Sequence, residues 1–241
     1  GEFLAFFDSD DFSCKNRISK QVSFIQEFEF NQLRKGDSNL YSPLCYCDRE
    51  IFFENKKKIY SKAMNINIDD YDFKDNIIGS LLFCNPFPAK SESGSTATCM
   101  LCARVKTFRR LNGFNPILRR YEDLDLTIRA IMHEIPICRI NKSLVKQYCT
   151  DFDYKKNEHT YERRLIYLHR NWLKKKRLYK FAFCFIKFKQ SMLNLKITNS
   201  LYYFALLSSN NPILFLKRII SSLNTIIFTV KLKIIKNRIK N

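Results

Sequence analysis

The sequence has few of the residues that interrupt regular structure, with five glycines and six prolines among 241 residues. This scarcity leaves no room for a low-complexity linker, and no internal repeat is visible. The first residues lack the basic region of a secretory signal peptide. No apolar run reaches the ~18–20 residues that a membrane-spanning helix requires. The chain therefore fits one large domain, or one medium domain with an appendage.

Acidic residues are missing from the last third of the chain. Residues 163–241 contain 18 of the 42 lysines and arginines and none of the 23 acidic residues, so they carry almost all of the net charge of +19. Such a segment attracts polyanions, either nucleic acid or an anionic lipid surface. Its lysines alternate with aromatic and aliphatic clusters, a pattern typical of helices that lie in a membrane interface. An ordinary helical bundle with a solvated basic face is the alternative.

Histidine is also scarce, which weakens any zinc prediction. The nine cysteines include the pair Cys99-x-x-Cys102, which has the spacing of half a zinc site. Structural zinc sites combine two such pairs, or one pair with suitably spaced histidines. The three histidines, His133, His159 and His169, do not have that spacing. The sequence therefore predicts buried free thiols in a reducing compartment.

The opening stretch is the most informative part of the chain. Residues 3–7 (Phe-Leu-Ala-Phe-Phe) form an apolar run that leads directly into Asp8, Asp10 and Asp11. Such a run predicts a strand buried on both faces, in the middle of an α/β sheet. Ligands of open α/β folds bind beyond the carboxyl ends of the strands, where Asp8 and Asp10 could share a divalent cation. An Asp-rich turn that caps the next helix is the alternative interpretation.

The hydrophobic periodicity of the remaining chain predicts alternating helices and strands. A Lys-rich surface loop is expected over residues 54–62. Helices are expected over residues 13–30, 75–83, 104–111 and 158–177, and a further helix is expected to begin at Glu122. Strands are expected over residues 39–47, 97–103, 135–140 and 144–149.

Glu122 and Asp123 occupy the first turn of one predicted helix. Carboxylates at this position are stabilised by the helix dipole, which requires no further function. A carboxylate at a helix N-terminus that faces a cleft beside arginines can instead serve as a general base.

Three motifs, in order, resemble those of family 2 glycosyltransferases of the GT-A fold. Residues 1–11 (Gly-Glu-Phe-Leu-Ala-Phe-Phe-Asp-Ser-Asp-Asp) resemble the Asp-x-Asp strand of that family. Residues 111–115 (Leu-Asn-Gly-Phe-Asn) resemble its Gly-Gly-Phe-Asp turn. Residues 120–125 (Arg-Tyr-Glu-Asp-Leu-Asp), together with Arg129, resemble its Glu-Asp motif and the helix that follows.

The resemblance implies metal-dependent transfer from a nucleotide-diphosphate sugar, with a UDP-sugar as the expected donor. Asp8 and Asp10 would hold Mn²⁺ or Mg²⁺ against the diphosphate. Asp151 would supply a further metal ligand, with Asp153 as its rival.

The resemblance also implies roles for the second carboxylate pair. Asp123 would deprotonate the acceptor hydroxyl, and Glu122 would orient the acceptor or the base. The expected reaction inverts the anomeric centre.

The resemblance implies the domain plan as well. Residues 1–160 would be the C-terminal part of a GT-A domain, an α/β fold with a Rossmann-like mixed sheet, without its N-terminal nucleotide-binding half. Residues 161–241 would be a basic amphipathic helical segment that associates with an anionic membrane.

The expected function is synthesis of a surface polysaccharide, such as lipopolysaccharide or capsule. The acceptor would be a glycan or a lipid-linked saccharide, at the inner face of the cytoplasmic membrane. Nucleic acid is not an expected partner. The alternatives are an inactive truncated remnant and a basic module that binds nucleic acid or glycan.

Overall fold

The computed structural model describes residues 1–36, 41–53, 58–66, 74–84, 93–148 and 158–220. The chain divides into two compact units. Unit 1 comprises residues 1–74 and 88–156, and unit 2 comprises residues 75–87 and 157–241. Unit 2 therefore takes in a segment from the first part of the sequence, besides the basic C-terminal part.

Unit 1 is built on a mixed sheet, to which the described residues contribute six strands. The strands are β1 (Phe3–Ala5), β2 (Phe12–Ser13), β3 (Leu44–Phe52), β4 (Lys58–Ser61), β5 (Leu101–Arg104) and β6 (Ile137–Tyr148). Their order across the sheet is β1-β5-β3-β6-β2, and β4 also pairs with β3. Only β3 and β6 pair in parallel, and the other pairs are antiparallel. The expectation of a mixed α/β fold is confirmed.

Strand β3 is the centre of the sheet. Its first half, residues 44–47 (Leu-Cys-Tyr-Cys), is completely buried. A continuous apolar run of this kind is stable only where the strand is covered on both faces. One edge of β3 pairs with β6, and the other pairs first with β5 and then with β4. The first half of β3 is therefore buried on both faces, whereas the sequence predicted such a strand at residues 3–7.

Three helices of unit 1 lie within its described residues: α1 (Arg17–Arg34), α3 (Val105–Arg110) and α4 (Glu122–Met132). Helix α1 packs on the sheet through Ile25, which contacts Cys45 and Cys102. It also carries the buried Gln21, whose Nε2 donates to the carbonyl oxygens of Cys45 and Met100, both at 2.9 Å. These bonds fix α1 against β3 and the start of β5.

Several element predictions need correction. Strand β1 is three residues long, only partly buried, and pairs with β5 alone among the described strands. It therefore lies at an edge of the described sheet and not in its middle. Residues 58–61, expected in a surface loop, form β4 because they pair as a hairpin with the end of β3. The two strands expected over residues 135–149 are one strand, β6, because β3 offers a continuous partner.

Unit 2 is helical in its described part. Its helices are α5 (Glu158–Leu168), α6 (Arg170–Lys175), α7 (Tyr179–Leu193) and α8 (Ile197–Asn210), and residues 212–220 are also helical. Helix α2 (Lys74–Leu81) begins at the last residue of unit 1 and continues in unit 2. Buried residues such as Leu165, Phe185 and Leu207 form its core. No described helix combines the length and the apolar content that a bilayer crossing requires.

Candidate functional site

Unit 1 brings the three sequence motifs together. The chain leaves β1 at Phe6, whose ring contacts those of Phe108 on α3 and Phe114 in the following turn, with centroids 5.3 and 5.2 Å away. Arg129 of α4 donates to the carbonyl oxygens of Leu111 and Gly113, the latter at 2.8 Å. The first motif therefore packs on the second through aromatic rings, and the second is hydrogen-bonded to the third.

Arg129 is itself held by a buried carboxylate. Asp125, one turn earlier on α4, accepts a hydrogen bond of 2.8 Å from Arg129 Nε. Gly113 adopts a left-handed conformation (φ 62°) that favours glycine. The turn that precedes α4 is thereby fixed relative to the carboxylates in the first turn of that helix.

The first carboxylate group lies just after β1. The carboxylate oxygens of Asp8 and Asp11 and the sulfur of Cys99 all lie within 4.8 Å of one another. Asp8 is exposed, Asp11 is partly buried, and Cys99 is buried in the 3₁₀ turn Thr98–Met100. Three potential ligands thus meet where the sequence predicts a cation.

The Asp11 carboxylate is incompletely hydrogen-bonded among the described residues, and its pKa is raised. Its Oδ1 accepts a bond of 3.4 Å from the backbone N–H of Tyr148, while its buried Oδ2 has no hydrogen-bond partner among the described residues. Burial raises the pKa of Asp11, and the charge of Asp8 adds to this effect, whereas a hydrogen bond from Cys99 opposes it. A divalent cation would satisfy the buried oxygen and neutralise the repulsion between the two carboxylates.

The donor set fits a hard cation through its two carboxylates. Mg²⁺ and Mn²⁺ prefer oxygen ligands, which Asp8 and Asp11 supply. Burial raises the pKa of Cys99 to about 12, so the thiol is protonated near neutral pH and acts as a donor to Asp11. The exposed Asp10 is not part of the described ligand group. Asp151 and Asp153 lie outside the described residues.

Arg49 interacts with both the first carboxylate group and the second. Its Nη1 donates to Cys99 Sγ at 3.8 Å, and its Nη2 donates to Ser95 Oγ at 3.0 Å. Its positive charge also acts on Asp123, whose pKa it lowers. The buried Nε of Arg49 has no partner among the described residues. One guanidinium group therefore bonds to the thiol of the first group and acts through its charge on the carboxylate of the second.

The loop before the 3₁₀ turn supplies Ser95 and Thr96. It docks on residues 62–64 through a bond of 2.8 Å from Ser95 N to the Lys62 oxygen and one of 3.0 Å from Met64 N to the Ser95 oxygen. Gly94 permits this approach, because a Cβ there would lie 2.2 Å from the Ala63 carbonyl group. This loop therefore places one hydroxyl group, that of Ser95, against Arg49 and another, that of Thr96, against Asp123.

Asp123 occupies the first turn of α4, as expected. Its Oδ1 accepts a bond of 2.7 Å from Leu124 N, and its Oδ2 lies 3.5 Å from Thr96 Oγ1. Burial raises the pKa of Asp123 to about 6, and the charge of Glu122 adds to the increase, although Leu124 N–H and Arg49 oppose it. A carboxylate with a pKa near the working pH is suited to general base catalysis.

The residue before this pair has an unusual backbone conformation. Tyr121 has φ 64°, in the left-handed region that non-glycine residues seldom occupy. Such conformations are concentrated at functional sites, where the surrounding structure holds them in place.

The comparisons with known proteins identify no family. No protein-family model matches the sequence, and no curated protein matches it.

Sequence reasoning named Asp8, Glu122 and Asp123 at this site but missed Arg49 and Cys99. The Cys99-x-x-Cys102 spacing drew attention to zinc, whereas Cys99 lies beside two aspartates and Cys102 lies in the core. Asp11 was visible only as the last member of an acidic run. Nothing near Arg49 in the sequence indicates its position, because this depends on the pairing of β3 with β6.

Proposed function

We propose that unit 1 transfers a sugar from a nucleotide-diphosphate sugar, with a UDP-sugar as the expected donor, to a hydroxyl group of a glycan or lipid-linked saccharide. The observation that carries this proposal is the pair of contacts made by Arg49, whose guanidinium donates to Cys99 of the first carboxylate group and to Ser95, the neighbour of the Thr96 that contacts Asp123. Such an arrangement suits a diphosphate leaving group held near one carboxylate pair and an acceptor activated by the other.

In the proposed reaction, Asp123 takes the proton of the acceptor hydroxyl. The acceptor oxygen then forms a bond to the anomeric carbon as the bond from that carbon to the diphosphate breaks. The electron pair of the breaking bond leaves with the nucleoside diphosphate. This single displacement inverts the anomeric centre. Glu122 keeps the pKa of Asp123 high enough for the carboxylate to accept a proton near neutral pH.

Asp8 and Asp11 are the proposed ligands of a bound Mn²⁺ or Mg²⁺. The cation would act as a Lewis acid that stabilises negative charge on the departing diphosphate. Arg49 would contribute a second positive charge nearby, since it donates to Cys99, whose sulfur lies beside Asp8 and Asp11. Asp10 and Asp151, which the family resemblance also implies, remain candidate ligands.

The test is release of UDP from a set of UDP-hexoses and UDP-N-acetylhexosamines, with and without Mn²⁺. The expected result is metal-dependent release that is lost in Asp123→Asn and Asp8→Asn. Glu27→Gln is the matched control, because Glu27 is an exposed carboxylate on α1 outside the carboxylate groups. Normal turnover by Asp123→Asn would refute the assigned base, and absence of release from every donor would refute the transferase itself.

We further propose that unit 2 binds the surface of an anionic membrane, on the cytoplasmic side where a nucleotide-sugar donor would be present. Helix α8 and residues 212–220 expose apolar side chains that include Leu201, Phe204, Ile213 and Leu216. Residues 163–241 contain 18 basic residues and no acidic one. Apolar surface together with positive charge is the combination that binds anionic interfaces.

Sedimentation with lipid vesicles tests this second proposal. We expect the protein to bind vesicles that contain phosphatidylglycerol, to bind phosphatidylcholine vesicles far more weakly, and to be released by salt. The double variant Ile213→Asp, Leu216→Asp should lose binding without unfolding, because both side chains are exposed. Equal binding to both kinds of vesicle would contradict the electrostatic part of the proposal.

A further inference from the structure

Two aromatic side chains flank one lysine in the sheet of unit 1, and a third stacks on one of them. Phe12 of β2 pairs in register with Lys146 of β6, and Phe52 of β3 pairs in register with Tyr148 of β6. Residues opposite each other in a sheet point to the same face, and so do residues two positions apart along a strand. Phe12, Lys146, Phe52 and Tyr148 therefore share one face, and they are called the aromatic platform below.

Two of the three rings of the platform are exposed to solvent. Phe12 and Tyr148 are each 49% exposed, although large aromatic side chains contribute most to stability when they are buried. The rings of Phe52 and Tyr148 are stacked, with centroids 5.6 Å apart and planes inclined by 29°. Lys146 Nζ lies 5.5 Å from the Phe12 ring centroid and 6.0 Å from that of Phe52. The platform thus combines flat apolar surface with one cationic hydrogen-bond donor.

The platform is continuous with the first carboxylate group. Phe12 follows Asp11 directly in the chain, and the backbone N–H of Tyr148 donates to Asp11 Oδ1 at 3.4 Å. A ligand on the platform would therefore lie beside the position proposed for the diphosphate.

We propose that the aromatic platform binds a sugar ring of the acceptor, an inference that rests on the proposed glycosyltransferase function. Sugar rings have one apolar face of C–H groups and an edge of hydroxyl groups. The C–H face matches the exposed rings of Tyr148 and Phe12, and the hydroxyl edge matches the ammonium group of Lys146. The platform would then set which saccharide is accepted, while Asp123 acts on the hydroxyl that reacts.

Ligand-observed NMR with defined probes tests this proposal. The probes are the methyl glycosides of glucose, galactose and N-acetylglucosamine, with uridine as the competing ring compound. We expect saturation transfer to the ring C–H protons of at least one glycoside. Its affinity should fall by at least about tenfold in Tyr148→Ala and in Phe12→Ala, because each variant loses one or two stacking contacts. Tyr148→Phe should retain binding because it keeps the ring.

Phe30→Ala is the matched control, because Phe30 is also an exposed aromatic residue but belongs to α1 and not to the platform. Thermal unfolding of each variant separates loss of binding from loss of fold. The proposal is overturned if no glycoside binds, if glycoside binding survives both alanine substitutions, or if uridine is the probe whose binding they abolish.

UDP release to water, measured without an acceptor, separates this proposal from the proposed function. Lost glycoside binding in Tyr148→Ala, when the parent protein releases UDP, supports both the platform and the transferase function. Retained release with unaltered glycoside binding overturns the platform and leaves the transferase function standing. Glycoside binding that depends on Tyr148, in a protein that releases UDP from no donor, supports saccharide binding and refutes the transferase function.

Discussion

Asp48 and Arg139 form a bidentate ion pair inside unit 1. Arg139 Nε donates to Asp48 Oδ1 and Arg139 Nη2 donates to Asp48 Oδ2, each at 2.7 Å. Asp48 is completely buried, and its Oδ1 also accepts a bond of 2.7 Å from Ala63 N. The register between β3 and β6 shifts on both sides of Asp48, immediately before Arg49. The pair therefore fixes the strand irregularity that positions Arg49 in the site.

Replacement of Asp48 by Asn should destabilise unit 1 strongly. The variant leaves the Arg139 charge buried without its carboxylate, and loss of one partner of a buried pair costs about 3–5 kcal/mol. Urea unfolding measures the change in free energy. Glu50→Gln is the control, because it breaks the exposed Lys58–Glu50 pair, which contributes about 1 kcal/mol or less. Similar losses in the two variants would contradict the importance assigned to the buried pair.

The same pair predicts a loss of stability in acid. Burial would raise the pKa of Asp48, but hydrogen bonds from Arg139, Tyr60 and Ala63 N outweigh this effect and lower it. Because the pKa of Asp48 is lower in the folded state than in the unfolded state, where it is about 3.9, the ionised carboxylate stabilises the fold at pH values above about 3.9. This stabilisation is lost as the pH falls through the pKa of the folded state. Unfolding midpoints measured below pH ~4 should therefore fall less steeply in Asp48→Asn than in the parent protein.

The pH profile of UDP release should report the titration of Asp123. Because burial and Glu122 raise its pKa to about 6, activity should rise as the pH increases through about 6 and the base becomes ionised. Glu122→Gln removes a negative charge, so the midpoint of the profile should move to lower pH. The measurement is kcat/KM between pH 5 and pH 8. A midpoint that does not move in Glu122→Gln would contradict the coupling between the two carboxylates.

The sequence allowed the local elements of the site to be predicted but not its long-range connections. The helix that carries Glu122 and Asp123 was predictable, because its apolar periodicity and its acidic first turn are local signals. The strand before Asp8 was also predictable, but its place in the sheet was not. Apolar character identifies a strand, whereas its neighbours depend on residues far away in the chain.

Arg49 shows why the rest of the site could not be predicted. It belongs to β3, and its contacts with Ser95 and Cys99 join positions almost fifty residues apart. They depend on the register shift at Asp48 and on the close approach at Gly94, neither of which leaves a local pattern. Strand β4 was missed for a similar reason, because the lysines of residues 54–62 indicated a solvated loop, whereas β4 forms through its pairing with β3.

Loss of the Arg49 guanidinium should abolish most activity with little effect on stability. Arg49→Met removes a preorganised charge at the proposed diphosphate position, and such charges contribute about 10²–10³-fold in rate. Arg49→Lys should have an intermediate rate, because it keeps the charge but loses the planar fork. The pH midpoint should rise in Arg49→Met, since Arg49 lowers the pKa of Asp123.

Arg110→Met is the matched control for this prediction. Arg110 is an exposed arginine on α3 that contacts the Tyr41 ring, outside the carboxylate groups. The measurements are kcat for UDP release and the thermal unfolding midpoint. Equal activity of the Arg49→Met and Arg110→Met variants would remove Arg49 from the proposed mechanism.

The metal site should depend on carboxylate oxygen and not on sulfur. Asp11→Asn removes the carboxylate whose buried Oδ2 has no hydrogen-bond partner in the part of the chain that the structure describes. We expect the affinity for Mn²⁺ to fall by at least about tenfold, as it does when comparable groups of metal sites are lost. Cys99→Ser keeps a hydroxyl donor to Asp11, so the affinity should change little. Titration with Mn²⁺, followed by the electron paramagnetic resonance signal of the free ion, gives the affinity of each variant.

Asp75→Asn is the control, because Asp75 is an exposed carboxylate of unit 2 that is paired with Lys176. Loss of Mn²⁺ binding in Cys99→Ser with normal binding in Asp11→Asn would identify a thiolate site and contradict the proposed ligands.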